Sequence, residues 1–225
     1  MSEVRVIEVN ENVFAKNDLA ALGIREMLKA RGILFVNVMS SPGSGKTTLL
    51  TALINRLKRE LTIGEMDVDI TSSVDAQRVA DATGVRSLQI HNGGLCHIDA
   101  DMTERALREY DLDGLDLLIL ENIGNLVCPA EFDTGAHLNM MLLSVPEGDD
   151  KPLKYPLMFS VCDIVLITKV DTASFFNFDM DAARERILAL NPRAKILPVS
   201  ARTGEGLEAV CELLKTELKK LRGEA

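Results

Sequence analysis

Ser40-Ser41-Pro42-Gly43-Ser44-Gly45-Lys46-Thr47 stands between an apolar, β-branched run, Ile33 to Met39 (ILFVNVM), and a stretch with helical character that opens at Lys46 (KTTLLTALINRLKREL). Strand, glycine-rich turn and helix in that order form the setting in which Gly-x4-Gly-Lys-Ser/Thr cradles phosphates. Ser40 replaces the first Gly of that pattern, and every other position matches. Gly43 and Gly45 let backbone N–H groups turn inward around phosphate oxygens. Lys46 brings a point charge to the β and γ phosphates, and Thr47 offers a hydroxyl to magnesium. The helix that follows aims its positive end at the same place. Ser44 and Thr48 fall within the same nucleotide-contacting stretch. The bland alternative, a Gly/Ser turn with an incidental Lys, does not account for this order of elements.

Outward from this loop, strands and helices alternate. Strands are predicted over Ile63 to Asp69, Arg86 to His91, Leu115 to Glu121, Leu138 to Val145, Ile164 to Lys169 and Lys195 to Val199. Helices are predicted over Asn17 to Arg31, Val74 to Thr83, Ile98 to Tyr110, Asp181 to Leu190 and Gly206 to Leu221. Such alternation implies an α/β P-loop NTPase fold, a mostly parallel sheet with helices on both faces. No repeat or linker interrupts it. Residues 1–225 therefore read as one domain with a helical N-terminal arm over about residues 1–32.

Composition narrows the function. The 225 residues carry a formal charge of −9, seven Phe, two Tyr and no Trp. The core must rest on Leu, Ile, Val and Met. An acidic chain lacks the Lys/Arg surface that nucleic-acid backbones require, but a single loop can bind a nucleotide whatever the net charge. No signal pattern opens the chain and no apolar run reaches the length of a membrane span. The four Cys show no disulfide framework. The expectation is a cytoplasmic protein with reduced thiols, without nucleic-acid or membrane partners.

The base is addressed by Thr168-Lys169-Val170-Asp171, at the end of a buried strand. It is similar to the Asn-Lys-x-Asp signature of GTPases. The Asp171 carboxylate can accept from guanine N1–H and the 2-amino group, donors that adenine does not present there. The Lys169 stem can lie along the purine face. Thr168 in place of Asn offers fewer contacts, which implies a somewhat weaker site. Ser200-Ala201-Arg202 resembles the Ser-Ala-Lys loop that supports guanine O6. Glu121-Asn122-Ile123-Gly124 resembles the Asp-x-x-Gly switch, with a carboxylate for magnesium and a Gly N–H near the γ-phosphate. Asp67 and Asp69 end an earlier strand and Asp75 opens the next helix. We expect Asp69 and Asp75 to position magnesium or water, with helix capping the alternative for Asp75. Lys46, Asp69, Asp75 and Glu121 are the candidate catalytic set; Thr47, Asp69, Asp75 and Glu121 are the candidate magnesium set. No Gln is placed to orient water, so slow GTP hydrolysis to GDP is expected.

Cys96-His97 follows Gly93-Gly94-Leu95, and Cys128 lies shortly after Gly124. Thiolate and imidazole suit nickel, zinc and copper(I). Adjacent Cys and His side chains diverge, so two chains of a symmetric dimer are expected to complete a site. Inert buried Cys is the alternative. Cys162 and Cys211 sit in apolar or helical surroundings and read as structural. His91 and His137 are isolated, which favours packing or surface roles.

Taken together, SSPGSGKTTLL, NGGLCHIDADM, ENIGNLVCPAEFD, EGDDKPLKYPLMF and SARTGEGL resemble the HypB family of hydrogenase nickel incorporation GTPases over most of the chain. The resemblance implies a metallochaperone that binds nickel, or zinc at the same site, through Cys96, His97 and Cys128. It implies GTP-favoured homodimerisation and nickel insertion into the large subunit of nickel–iron hydrogenase. Many members carry an N-terminal Cys-rich or His-rich tract. Residues 1–32 here hold neither Cys nor His, which leaves nickel to the GTPase-domain site or to a HypA-type accessory protein. The nearest rival is a urease-maturation GTPase, which typically shows Cys-Pro-His where this chain has Cys-His. A non-enzymatic metal-binding dimer with a structural nucleotide is the rival from another class.

Overall fold

β1 (Leu34–Ser40) is buried at all seven positions, as befits an apolar strand with a neighbour on each edge and helices on each face. In the computed structural model, which describes residues 10–69 and 74–224, β1 pairs in parallel with β4 (Leu117–Gly124) and β5 (Leu138–Ser144). β2 (Ile63–Asp69) and β3 (Arg86–His91) extend the sheet beyond β4, and β6 (Ile164–Thr168) and β7 (Lys195–Pro198) extend it beyond β5. The order is β3-β2-β4-β1-β5-β6-β7. β1 thus lies near the point where the connections turn to opposite sides, and in such sheets the crevice beyond the strands' carboxyl ends binds ligands.

Side chains alternate across β1. Leu34, Val36 and Val38 pack with Leu53 of α2 (Lys46–Leu57) and with Val210 and Leu214 of α9 (Leu207–Arg222). Phe35 turns to the other face, against Leu28 of α1 (Asn10–Ala30) and Leu107 of α4 (Ala100–Glu109). Met39 packs there with Phe159 of α7 (Pro156–Ser160) and Ile187 of α8 (Met180–Leu190). α3 (Val74–Thr83) joins the α2 face through Val79. The expected fold class is therefore present, with a wholly parallel sheet among the described residues.

Several boundaries differ from expectation. α1 begins at Asn10 rather than Asn17, and residues 1–9 of the expected arm lie outside the described residues. The helix expected over Ile98 to Tyr110 starts at Ala100, because the Asp99 carboxylate accepts from Met102 N at 2.8 Å and caps it. β4 runs through Gly124 instead of stopping at Glu121, so the switch-like motif is part of the strand. Three short helices were not legible: α5 (Cys128–Glu131), α6 (Lys151–Lys154) and α7. Each has Pro in its first turn, where the missing N–H costs nothing, yet each is too short to show a period. Among the described residues no helix is long and apolar enough to cross a membrane.

Candidate functional site

The phosphate loop leaves the carboxyl end of β1 and returns as α2. Gly45, at φ 96°, makes the turn into the helix, a conformation that side-chain-bearing residues rarely adopt. No side chain caps α2 and no acid lies in its first turn, whereas α8 is capped by the Asp179 carboxylate. The first N–H groups of α2 are thus left to a ligand. Ser40 does more than fit. Its hydroxyl donates to Ser41 O (2.8 Å) and accepts from Ser44 Oγ (2.6 Å) and from Lys46 Nζ (3.0 Å). A Gly there would leave the ammonium without this partner. Burial lowers the Lys46 pKa, opposed by Glu121 and Asp67.

β4 supplies the opposite wall. Thr47 Oγ1 donates to Glu121 Oε1 at 2.8 Å, while Glu121 Oε2 is buried with no hydrogen-bond partner. Burial pushes the Glu121 carboxyl up to about 7, and Lys46 works against that rise. Such an unpaired carboxylate oxygen beside a hydroxyl is a donor set that fits magnesium. Gly124 passes so close to the loop that a Cβ on it would stand 3.1 Å from Pro42 Cα. Asp69 and Asp75 line the same crevice as Gly43, Ser44, Lys46 and Thr47. Asp75 also pairs with Arg78 at 3.0 Å on the exposed side of α3.

The second lobe of the crevice shares Ser44, Gly45 and Thr48 with the first and is closed by Lys169, Asp171 and Ala201. Lys169 is the only non-glycine at positive φ (59°) among the described residues, and its ammonium donates to Gly43 O at 2.8 Å. The stem therefore arches over the phosphate loop. The Asp171 carboxylate accepts from Ser200 Oγ at 2.6 Å and faces Arg202 at 3.6 Å. Ser200 in turn accepts from Thr203 N at 3.1 Å. Thr168 is buried and donates to Ser44 O at 3.2 Å. Thr168 thereby ties the base loop to the phosphate loop.

The structure also brings together Cys96, from the loop after β3, and Cys128, the first residue of α5 after β4. Their sulfurs are 2.8 Å apart, and His97 Nδ1 lies 3.9 Å from Cys96 Sγ. Both thiols are free, with Cys96 exposed. The neighbouring thiol raises the Cys96 pKa. The His97 ring stacks on Phe132 at 3.9 Å. Asn125 Nδ2 donates to Cys96 O (3.2 Å), and Asn92 Nδ2 donates to His97 O (2.8 Å). α1 braces the surroundings: Asn17 accepts from Ala100 N and donates to Asp133 O, both at 2.9 Å. Cys162 and Cys211 are buried, as their context implied.

Sequence reasoning missed Glu65 and passed over Asp67. Both are buried on β2, and burial pushes Glu65 up to about 8 and Asp67 to about 6. The signal was present in IGEMDVD, where acids alternate along a strand bounded by apolar ones.

Residues 34–198 match the family model described as CobW/HypB/UreG, nucleotide-binding domain. The hydrogenase maturation factor HypB of Rhizobium leguminosarum bv. viciae is 43% identical over 209 residues, covering 93% of this chain and 70% of the relative. The hydrogenase/urease maturation factor HypB of Helicobacter hepaticus is 40% identical over 213 residues, covering 93% and 87%. The crystal structure of HypB from Helicobacter pylori in complex with nickel superposes with a TM-score of 0.85 at 40% identity, covering 91% of this chain and 96% of that one.

Proposed function

The chain belongs to the HypB family of maturation GTPases, within the CobW/HypB/UreG group, and from that premise we propose that it couples GTP hydrolysis to the holding and release of nickel for nickel–iron hydrogenase. One observation carries the coupling. Gly124 packs against Pro42 of the phosphate loop, and only four residues later Cys128 meets Cys96. A shift at the γ-phosphate end of β4 therefore reaches a metal ligand through one short segment.

In this reading Gly43, Ser44, Gly45, Lys46, Thr47 and Thr48 hold the phosphates. Lys169, Asp171, Ser200 and Ala201 hold guanine. Thr47, Asp69, Asp75 and Glu121 would hold magnesium, which neutralises phosphate charge when bound. Lys46 stabilises the charge that develops on the transferred phosphoryl group, and Asp69 or Asp75 orients water. Cys96, His97 and Cys128 bind nickel, a cargo for which zinc competes at the same donors. A GTP-favoured homodimer completes the coordination, a HypA-type protein supplies nickel, and the hydrogenase large subunit receives it. A urease-maturation role is a second reading, favoured by the dual naming of the Helicobacter hepaticus relative.

The test is nickel titration of the full chain with no nucleotide, with GDP and with a non-hydrolysable GTP analogue, recording molecular mass. We expect nickel affinity and mass to change together with nucleotide, and Cys96→Ala to weaken nickel binding by about 10- to 100-fold. Identical nickel binding in all three states would remove the coupling and leave only a GTPase.

A further inference from the structure

Three carboxylates lie under α2 and α3, on the sheet face that packs these helices. Glu65 and Asp67 are two apart on β2 and so point to the same face. Asp67 is in register with Glu121 of β4. They are 0%, 4% and 3% exposed. Each offers an oxygen within 4.8 Å of the others'. Asp67 and Glu121 face the Lys46 ammonium, but its hydrogen bond goes to Ser40, and among the described residues no Arg or Lys forms an ion pair with any of the three.

The hydrogen bonds leave a surplus of acceptors. Ser87 Oγ donates to Glu65 Oε2 and Thr47 to Glu121 Oε1. Glu65 Oε1, Asp67 Oδ2 and Glu121 Oε2 are buried without a partner. Gln89, in register with Asp67 on β3, donates its amide N–H to Asp67 O, and its own Oε1 is a fourth buried acceptor without a donor. Buried carboxylates are costly unless something positive meets them. Ligands of a hard divalent cation at about 2.1–2.5 Å sit no further apart than about 5 Å, a span that one oxygen from each of the three carboxylates meets. All-oxygen donors select hard ions over the soft ones that thiolates prefer.

We propose that Glu65, Asp67 and Glu121 form an inner binding site for a hard divalent cation of the magnesium or manganese class, beneath the phosphate loop and distinct from the thiol–imidazole site. It shares Glu121 with the nucleotide-linked magnesium set, but Glu65 and Asp67 do not belong to that set. An ion there neutralises the carboxylates next to Lys46 and Thr47 and so favours anionic phosphates above them.

The probe is manganese(II), counted by electron paramagnetic resonance on the nucleotide-free full chain carrying Cys96→Ala, with GDP affinity measured on the same samples. The expected result is one manganese per chain without nucleotide, displaced by excess magnesium, and a second on adding GDP. Glu65→Gln and Asp67→Asn, both near-isosteric, each weaken the nucleotide-independent ion by 10-fold or more and leave the GDP-dependent ion in place. Absence of manganese binding without nucleotide in the Glu65-containing chain overturns the proposal, and needs no further variant to be read. Retention of that ion in Glu65→Gln and Asp67→Asn overturns it as well. Loss of GDP binding in every sample would indict the nucleotide site instead, and leaves the nucleotide-independent count to decide the inner one.

Discussion

The nucleotide crevice and the cysteine corner sit at the same edge of one sheet but are built differently. In the crevice, side chains from distant segments lock one another. Lys169 reaches Gly43 O, Thr168 reaches Ser44 O, Ser200 holds Asp171, and Ser40 holds Lys46. In the corner, Cys96 and His97 stand on an exposed turn held mainly through backbone carbonyls by Asn92 and Asn125. The first is preorganised, so binding costs little ordering. The second can rearrange, as the proposed holding and release of an ion requires. Rigid frame and movable ligands meet along β4.

The largest effect that sharpens this contrast comes from Asp171→Asn. In the wild type the carboxylate is fixed by Ser200, and in its proposed role it accepts from guanine. An amide presents a donor to the guanine donors and leaves them unmatched. GTP affinity is expected to fall by at least about 100-fold, as read by calorimetry. Nickel affinity without nucleotide should stay within about twofold, since additivity holds for sites that share no partners. A parallel loss of nickel binding would mean that the crevice and the corner are one rigid unit.

The same contrast explains what could be read from the chain alone. The crevice was legible because its parts are contiguous motifs at strand ends, from Ser40 to Thr47 and from Thr168 to Asp171. β1, β4, β5 and β6 were legible as short apolar runs, whereas β2, β3 and β7 carry charged or polar residues and were legible from their place in the alternation of strands and helices. The grouping of Cys128 with Cys96 came from the family resemblance and not from spacing, since 32 positions separate them and their meeting depends on β3 and β4 flanking β2. The Thr168 contact was not legible because its partner is a backbone carbonyl 124 residues away. Glu65 was overlooked because the strand pattern says which face a residue takes, not that Asp67 and Glu121 share it across a strand pair.

Thr168→Val gives a smaller effect, confined to the rigid side. It keeps the shape and removes the hydroxyl that bridges the base and phosphate loops. A lost neutral hydrogen bond in a buried position costs about 1 kcal/mol, so GDP should bind about fivefold more weakly, with little change for nickel. Unchanged GDP binding would show that Lys169 alone suffices to join the two loops.

The smallest effect concerns the frame behind the corner. His137 Nδ1 accepts from Phe35 N at 3.0 Å, so the proton sits on Nε2, which donates to Arg25 O at 3.1 Å. Arg25 also holds the Asp133 carboxylate and Ala136 O, joining α1 to the segment that follows α5. Burial lowers the His137 pKa from its ordinary value of 6.5. A base whose pKa is depressed in the folded state contributes stability that is present above its unfolded pKa and lost as pH falls through the folded one. Protonation would also turn Nδ1 into a donor facing the Phe35 N–H. The melting temperature should therefore fall as pH drops below about 6.5, and His137→Gln should flatten that slope while lowering stability at pH 8. If the slope is the same in both proteins, acid sensitivity arises elsewhere, and the bracing of the corner by α1 does not depend on a neutral His137.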